Sequence, residues 1–291
     1  MHQYLRAVGF SNIRSKKDLK ALVNDVIVQS SEKDYIETDR DSILVEYGKD
    51  YSPSTGIMLR SEIDEDEQMT MDFYYPYVRG HQVSITEDIV VERHAQKESF
   101  AGVAEDNRVG VTLIFFIRNG MTIMKRLSEE EADRPQTTVS LSALSLSGTV
   151  LLPIKKNAHD IERIKNAAKV RNERIDAAKN GDENAMEQLT LEDIDTYSAI
   201  SKRLPKEDVF TLVDSFFMPY GVECDQYSVM GEIVECAKET NYLTGENLYI
   251  MDINSNGLMI TVSINEEDLL GEPIPGRRFK GSIWLLGEVN V

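Results

Sequence analysis

From about residue 42 to residue 154, apolar side chains recur at every second position and are rich in β-branched types. The same alternation returns after residue 218, whereas from 157 to 204 the recurrence is helical. A strand buries every second side chain and a helix buries one stripe, so a chain that changes period twice must combine both element types. Residues 43–47 read as a strand stopping at Gly48. Residues 57–60 and 69–75 flank an acidic turn, Asp64-Glu65-Asp66-Glu67. Residues 109–117 read as a buried central strand ended by Asn119-Gly120, a strong turn signal. Ser15 stands three before Asp18, a helix-capping pattern with Asp in place of the usual Glu. Leu19, Leu22, Val23 and Val26 follow at helical spacing. Residues 4–10 fit a strand or a first helical turn.

In the helical region, Ile161, Ile164, Ala168 and Ile175 share one face, with Asn157 or Asp160 as cap and Gly181 as stop. Residues 182–189 fit a short helix. Thr190 with Asp193 opens another, whose apolar face is Ile194, Tyr197, Ile200 and Leu204. Residues 206–217 fit a helix or a strand, and strand is preferred because the tail beyond is all β. In that tail 224–236, 247–253, 258–264 and 278–289 are candidate strands. Thr244-Gly245, Asn254-Ser255-Asn256-Gly257 and Pro275-Gly276 separate them. The expected fold is therefore α+β. Residues 1–154 form a mainly antiparallel sheet with one packed helix, 155–205 a helical hairpin, and 206–291 a small β-barrel with an OB-like form as a candidate.

Charge narrows the function classes. The net charge is −18, which opposes nucleic acid and anionic membranes, since both need clustered cations. Residues 137–154 lack any charge, but Val139, Leu141 and Ala143 alternate with Ser140 and Ser142, a strand pattern rather than a membrane helix. The opening Met1-His2-Gln3-Tyr4-Leu5-Arg6 has no basic segment followed by an apolar one, so a cytoplasmic location is expected. Cys224 and Cys236 have neither zinc nor CxxC spacing and read as thiols in a reducing compartment. Walker A, GxGxxG, GxSxG and HExxH are absent. With only His2, His81, His94 and His159, no metal and no cofactor is expected. Glu92 and His94 read as a surface pair, and the run from Glu62 to Glu67 as a solvated hairpin tip rather than a calcium loop.

Two places concentrate positive charge. Residues 155–180 hold eight cations against four carboxylates. Arg163, Lys165, Lys169, Arg171 and Arg174 are the candidate contact for an acidic partner. The second place is the turn into the last strand. Alternation puts Arg278, Lys280 and Trp284 on one face, with Arg277 beside them, and cations near an aromatic plane can hold a carboxylate or phosphate. Glu223, Asp225, Asp268 and Glu272 are the nearby carboxylates. They either pair with those arginines or serve as acid and base toward a ligand.

Three segments are familiar together. They are Tyr4-Leu5-Arg6-Ala7-Val8-Gly9-Phe10-Ser11-Asn12-Ile13, Phe217-Met218-Pro219-Tyr220-Gly221-Val222-Glu223-Cys224-Asp225, and Asp268-Leu269-Leu270-Gly271-Glu272-Pro273 followed by Gly276-Arg277-Arg278-Phe279-Lys280-Gly281-Ser282-Ile283-Trp284-Leu285-Leu286-Gly287. Over its whole length the chain resembles an uncharacterised family of cytoplasmic proteins from Gram-positive anaerobic bacteria. The resemblance implies no activity and transfers no catalytic residue. The residues themselves point to a non-enzymatic cytosolic binding or adaptor protein that recognises a protein or a small anionic ligand. The alternative is an enzyme acting on a small anionic substrate between the β regions, with carboxylate acid/base chemistry and an arginine clamp.

Overall fold

A computed structural model describes residues 2–38, 42–86, 89–93, 99–106, 108–128, 137–154, 158–203 and 208–290. Of the two forms expected for residues 4–10 the helical one occurs, as a 3-10 turn, Gln3–Val8. The Ser15 capping box then forms: the Ser15 hydroxyl accepts from the Asp18 amide at 3.1 Å, and the Asp18 carboxylate accepts from the Ser15 amide at 2.9 Å. It opens α1 (Lys16–Val28), which buries Leu22 and Val26.

Four antiparallel strands follow as a meander: β1 (Glu32–Glu37), β2 (Ile43–Asp50), β3 (Thr55–Ile63) and β4 (Met69–Val78). The acidic run is the tip between β3 and β4, where Asp64 accepts from the amides of Asp66 and Gln68. Pro76 lies opposite Ile57 on β4, an edge strand, where its missing N–H costs no ladder bond. Next come β5 (Ile89–Arg93), β6 (Phe100–Asp106) and β7 (Val111–Ile117). The turn expected at Asn119-Gly120 follows β7 and leads directly into α2 (Gly120–Ser128). Asn119 exchanges two hydrogen bonds with the Val289 backbone, so its side chain is held by a strand remote in sequence.

The charge-free stretch is the long strand β8 (Thr138–Leu151). After it come α3 (Ala158–Lys179) and α4 (Glu183–Arg203); α4 is continuous where two helices were expected. Residues 206–217 combine both expected forms among their described positions: one helical turn, α5 (Val209–Leu212), then β9 (Phe216–Pro219). The tail strands are β10 (Gln226–Thr240), β11 (Asn247–Ser255), β12 (Leu258–Asn265), the two-residue β13 (Leu269–Leu270) and β14 (Arg278–Asn290).

The fold is α+β. Successive pairings β8–β12–β11–β10–β14 return to β8, so five strands hydrogen-bond in a ring. The tail strands do not close this ring among themselves. β8, from upstream of the helices, joins β12 in parallel and β14 in antiparallel register. β7, β6 and β5 extend the same sheet from the far end of β14. Alternation on β14 explains two cores. Phe279, Ile283 and Leu285 enter one, with Val139 and Leu141 of β8. Trp284 and Leu286 enter the other, shared with the N-terminal turn, α1 and the β1–β4 meander. A strand covered on both faces loses its polar alternation, and residues 283–286 are uniformly apolar for that reason. Glycines make room at the seams. A Cβ on Gly148 would lie 2.4 Å from the Phe279 ring, and one on Gly102 or Gly287 would lie 2.3 Å from Phe115.

The N-terminal turn rests on the tail. Three consecutive carbonyls, those of Ala7, Val8 and Gly9, accept hydrogen bonds from Ser263, Asn241 and Thr244 at 2.7, 2.8 and 2.7 Å. Asn241 is buried and also accepts from the amides of Leu243 and Thr244. Asn241→Ala should therefore lower the stability of the folded chain by about 1–3 kcal/mol, because it leaves a buried carbonyl and two amides without partners. Urea denaturation measures this, and an unchanged midpoint would show that the turn is not held by these bonds.

Candidate functional site

The Arg277 turn carries cations in three different roles. Arg278 is 5% exposed and spends its donors on main-chain carbonyls. It reaches Leu152 at 3.1 and 3.0 Å, Phe210 at 2.8 Å and Val213 at 2.9 Å. Burial pulls its guanidinium below the ordinary arginine value. Lys280 lies over the Phe210 ring, 4.9 Å from its centroid. Arg277 is half-buried and donates to the Glu272 carbonyl at 2.9 Å, with the Glu272 carboxylate 3.9 Å away. Arg278 and Trp284 do share a face of β14, but six residues of strand separate them by about 20 Å. The cations and the indole do not form one binding surface.

The carboxylates have different surroundings. Asp225 accepts from the Trp284 indole N–H at 2.7 Å, while its carbonyl accepts from the Leu285 amide at 2.9 Å. Both bonds fall where β10 leaves the edge of β14. Trp284 stacks on Tyr4 at 5.3 Å and contacts His2 at 4.8 Å. Burial, with the Asp225 charge second, pushes the Tyr4 phenol up to about 12. Asp268 pairs with Arg6, and Glu223 and Glu272 are exposed. On the helices, Arg171 bridges to Glu192 and Asp193, and Arg174 to Glu192, so these two cations join α3 to α4. Lys169 lies 4.0 Å from Glu173 on the exposed side. The side chains of Arg163 and Lys165 lie outside the described residues, as does His94.

Three further features stand out, of which the first two have no counterpart in the sequence pattern and the third is an expected apolar face found exposed. The first is a polar cluster on the ring's outer face. His81 Nδ1 is 3.1 Å from Asp252, Thr261 donates to Asp252 at 2.7 Å, and the His81 amide donates to the Thr261 hydroxyl at 3.0 Å. Asp252 is 4% exposed and belongs to a shallow hollow with Gln82, Leu141, Met259 and Ile260. Its signal in the sequence is a single carboxylate in the apolar run 248–253; nothing links it to a histidine 171 positions away. The second is a buried ion pair between Arg60 and Glu46, in which burial holds the Glu46 carboxyl above its usual range and Arg60 Nη1 has no hydrogen-bond partner. The third is on α4. Leu191, Ile194 and Tyr197, at helical spacing, are 55, 55 and 76% exposed. An apolar stripe of this kind ordinarily faces a core. Among the described residues no cluster of three or more metal-ligating side chains occurs, and no helix is long and apolar enough to cross a membrane.

Two contrasts test these placements. Arg278→Met should cost at least about 2 kcal/mol, since three carbonyls lose their donor. Arg277→Ala, at a half-exposed turn, should stay within about 0.5 kcal/mol. Equal effects in urea titrations would refute the division of roles. The cysteines differ similarly: burial pushes the Cys236 thiol up to about 11, and Cys224 is exposed. Iodoacetamide at neutral pH should modify Cys224 first, with Cys236 following only as the pH approaches 11, because the thiolate is the reacting form. Peptide mass spectrometry reads the order, and equal rates at neutral pH would contradict the burial.

No curated protein and no solved structure matches the chain. A family model described as "Domain of unknown function, E. rectale Gene description (DUF3881)" matches residues 5–287, nearly the whole length, and the chain belongs to that family.

Proposed function

We propose that this protein is a non-enzymatic binding or adaptor protein of the cytoplasm of a Gram-positive anaerobe, and that it takes a protein partner on the outer face of α4. The ring of five strands is read here as a small barrel and α3–α4 as a helical hairpin attached to it. The observation that carries the proposal is the exposed stripe Leu191, Ile194 and Tyr197. Exposed apolar side chains arranged contiguously on a helix mark interaction surfaces. Among the described residues, α3 and α4 pack chiefly on each other, which leaves this face open.

A contact at the Arg277 turn has less support, because Arg278 already holds the chain around Phe210 and Leu152. The competing enzymatic reading has one observation in its favour, the His81–Asp252 pair. A buried carboxylate bonded to Nδ1 fixes the orientation of the imidazole ring, as acid–base work by a histidine requires.

The test is quantitative recovery of host proteins on the tagged full-length chain, read by native mass spectrometry. Leu191→Glu with Ile194→Glu should lower recovery of any stoichiometric partner at least about tenfold, equivalent to about 1.4 kcal/mol. Circular dichroism should stay unchanged, because both side chains face solvent. Undiminished recovery would remove α4 as the contact. A small bound mass lost on His81→Ala would favour the enzymatic reading.

A further inference from the structure

α4 has two contact faces. On one, Ala185 is buried and Leu189 and Glu192 are half-buried toward α3. On the other, Met186, Leu191, Ile194 and Tyr197 are 45, 55, 55 and 76% exposed. At about 100° per residue these four lie within an arc of roughly 140°, wide enough to pack another helix. Glu183 and Glu187 stand in the first half of the helix, and Lys202 and Arg203 close it.

The order of these residues reads similarly in both directions. When α4 is laid antiparallel on itself, with a two-fold axis near residues 192 and 193, Leu191 comes opposite Ile194 and Met186 close to Tyr197. Glu183 then comes opposite Lys202. A parallel arrangement would set Glu183 against Glu183 and Lys202 against Lys202. Like charges face to face are destabilising, so the charge pattern favours the antiparallel pair. At the centre Leu191 meets Ile194, Met186 and Tyr197 come within about one turn of each other, and each end meets its opposite charge, which is the self-complementarity that a two-fold interface requires.

We propose that the occupant of this face is α4 of a second copy of the chain, so that two α3–α4 pairs form a four-helix contact. The inference rests on reading the α4 face as a docking surface. A single helix-to-helix contact is small beside the roughly 1,200–2,000 Å² of stable interfaces, and two bodies of charge −18 repel, so the dimer is weak and reversible, with Kd in the micromolar range.

Sedimentation velocity on the full chain, over a concentration series spanning low to high micromolar, tests this. The wild type should shift from monomer to dimer. Leu191→Glu should raise Kd at least about tenfold. Glu183→Lys and Lys202→Glu should each weaken the dimer, and the two changes in one chain should restore it, because both cross-pairs re-form with their signs exchanged. A wild type that stays monomeric, a dimer indifferent to Leu191→Glu, or a double variant no tighter than the singles would each overturn the proposal. A monomeric wild type whose partner recovery still falls in the stripe variants would overturn the dimer alone. Recovery untouched by those variants, with the dimer lost, would overturn only the hetero-partner role.

Discussion

The structure depends on the hydrogen bonding of β14 along both of its edges. One edge is taken by β8 for the whole length of the strand; the other is shared, by β10 up to Trp284 and by β7 at Leu286 and Gly287. The strand thus belongs to the five-strand ring and to the β5–β7 extension at once. The handover needs a local anchor, because a strand edge between two partners has unpaired amides. Asp225 supplies it, with its carbonyl on the Leu285 amide and its carboxylate on the Trp284 indole. The single tryptophan is therefore held by a carboxylate from below and covered by Tyr4 from above.

That arrangement brings distant parts of the chain into one body. Residues near the start cover a face of β14, and their carbonyls are taken up by side chains between Asn241 and Ser263. β8, which precedes the helices, closes the ring made by strands that follow them. The α3–α4 pair is built differently. Its described polar contacts are ion pairs between two exposed helices, which contribute little each, and its largest apolar side chains face outward. The double-sheet body thus carries a helix pair whose apolar stripe is open to solvent.

The candidate residues show where sequence reasoning succeeds and where it fails. Residue types at the Arg277 turn and their faces on β14 were legible, since strand alternation fixes them. Their partners were not. Arg278 donates to three carbonyls in two segments remote from it, and a carbonyl has no residue-type signal. Glu192 and Asp193, which engage Arg171 and Arg174, were within reach of the sequence, because two helices joined by a short turn bring their faces together. The His81–Asp252–Thr261 cluster was out of reach, since it forms only when the loop after β4 crosses β11 and β12.

Local rules alone determined the capping box at Ser15, the strands of the tail to within a few residues, the strand nature of the charge-free stretch and the helicity of residues 158–203. Each depends on side chains within one or two turns or one alternation, so the information lies in the segment itself. Tertiary structure decided which strands pair, that β8 rather than a tail strand closes the ring, and that the turn at Asn119 leads into a helix. It also decided that the apolar stripe of α4 stays in solvent. Periodicity says that a face is apolar but not what covers it, because burial is a property of two surfaces and a segment supplies only one.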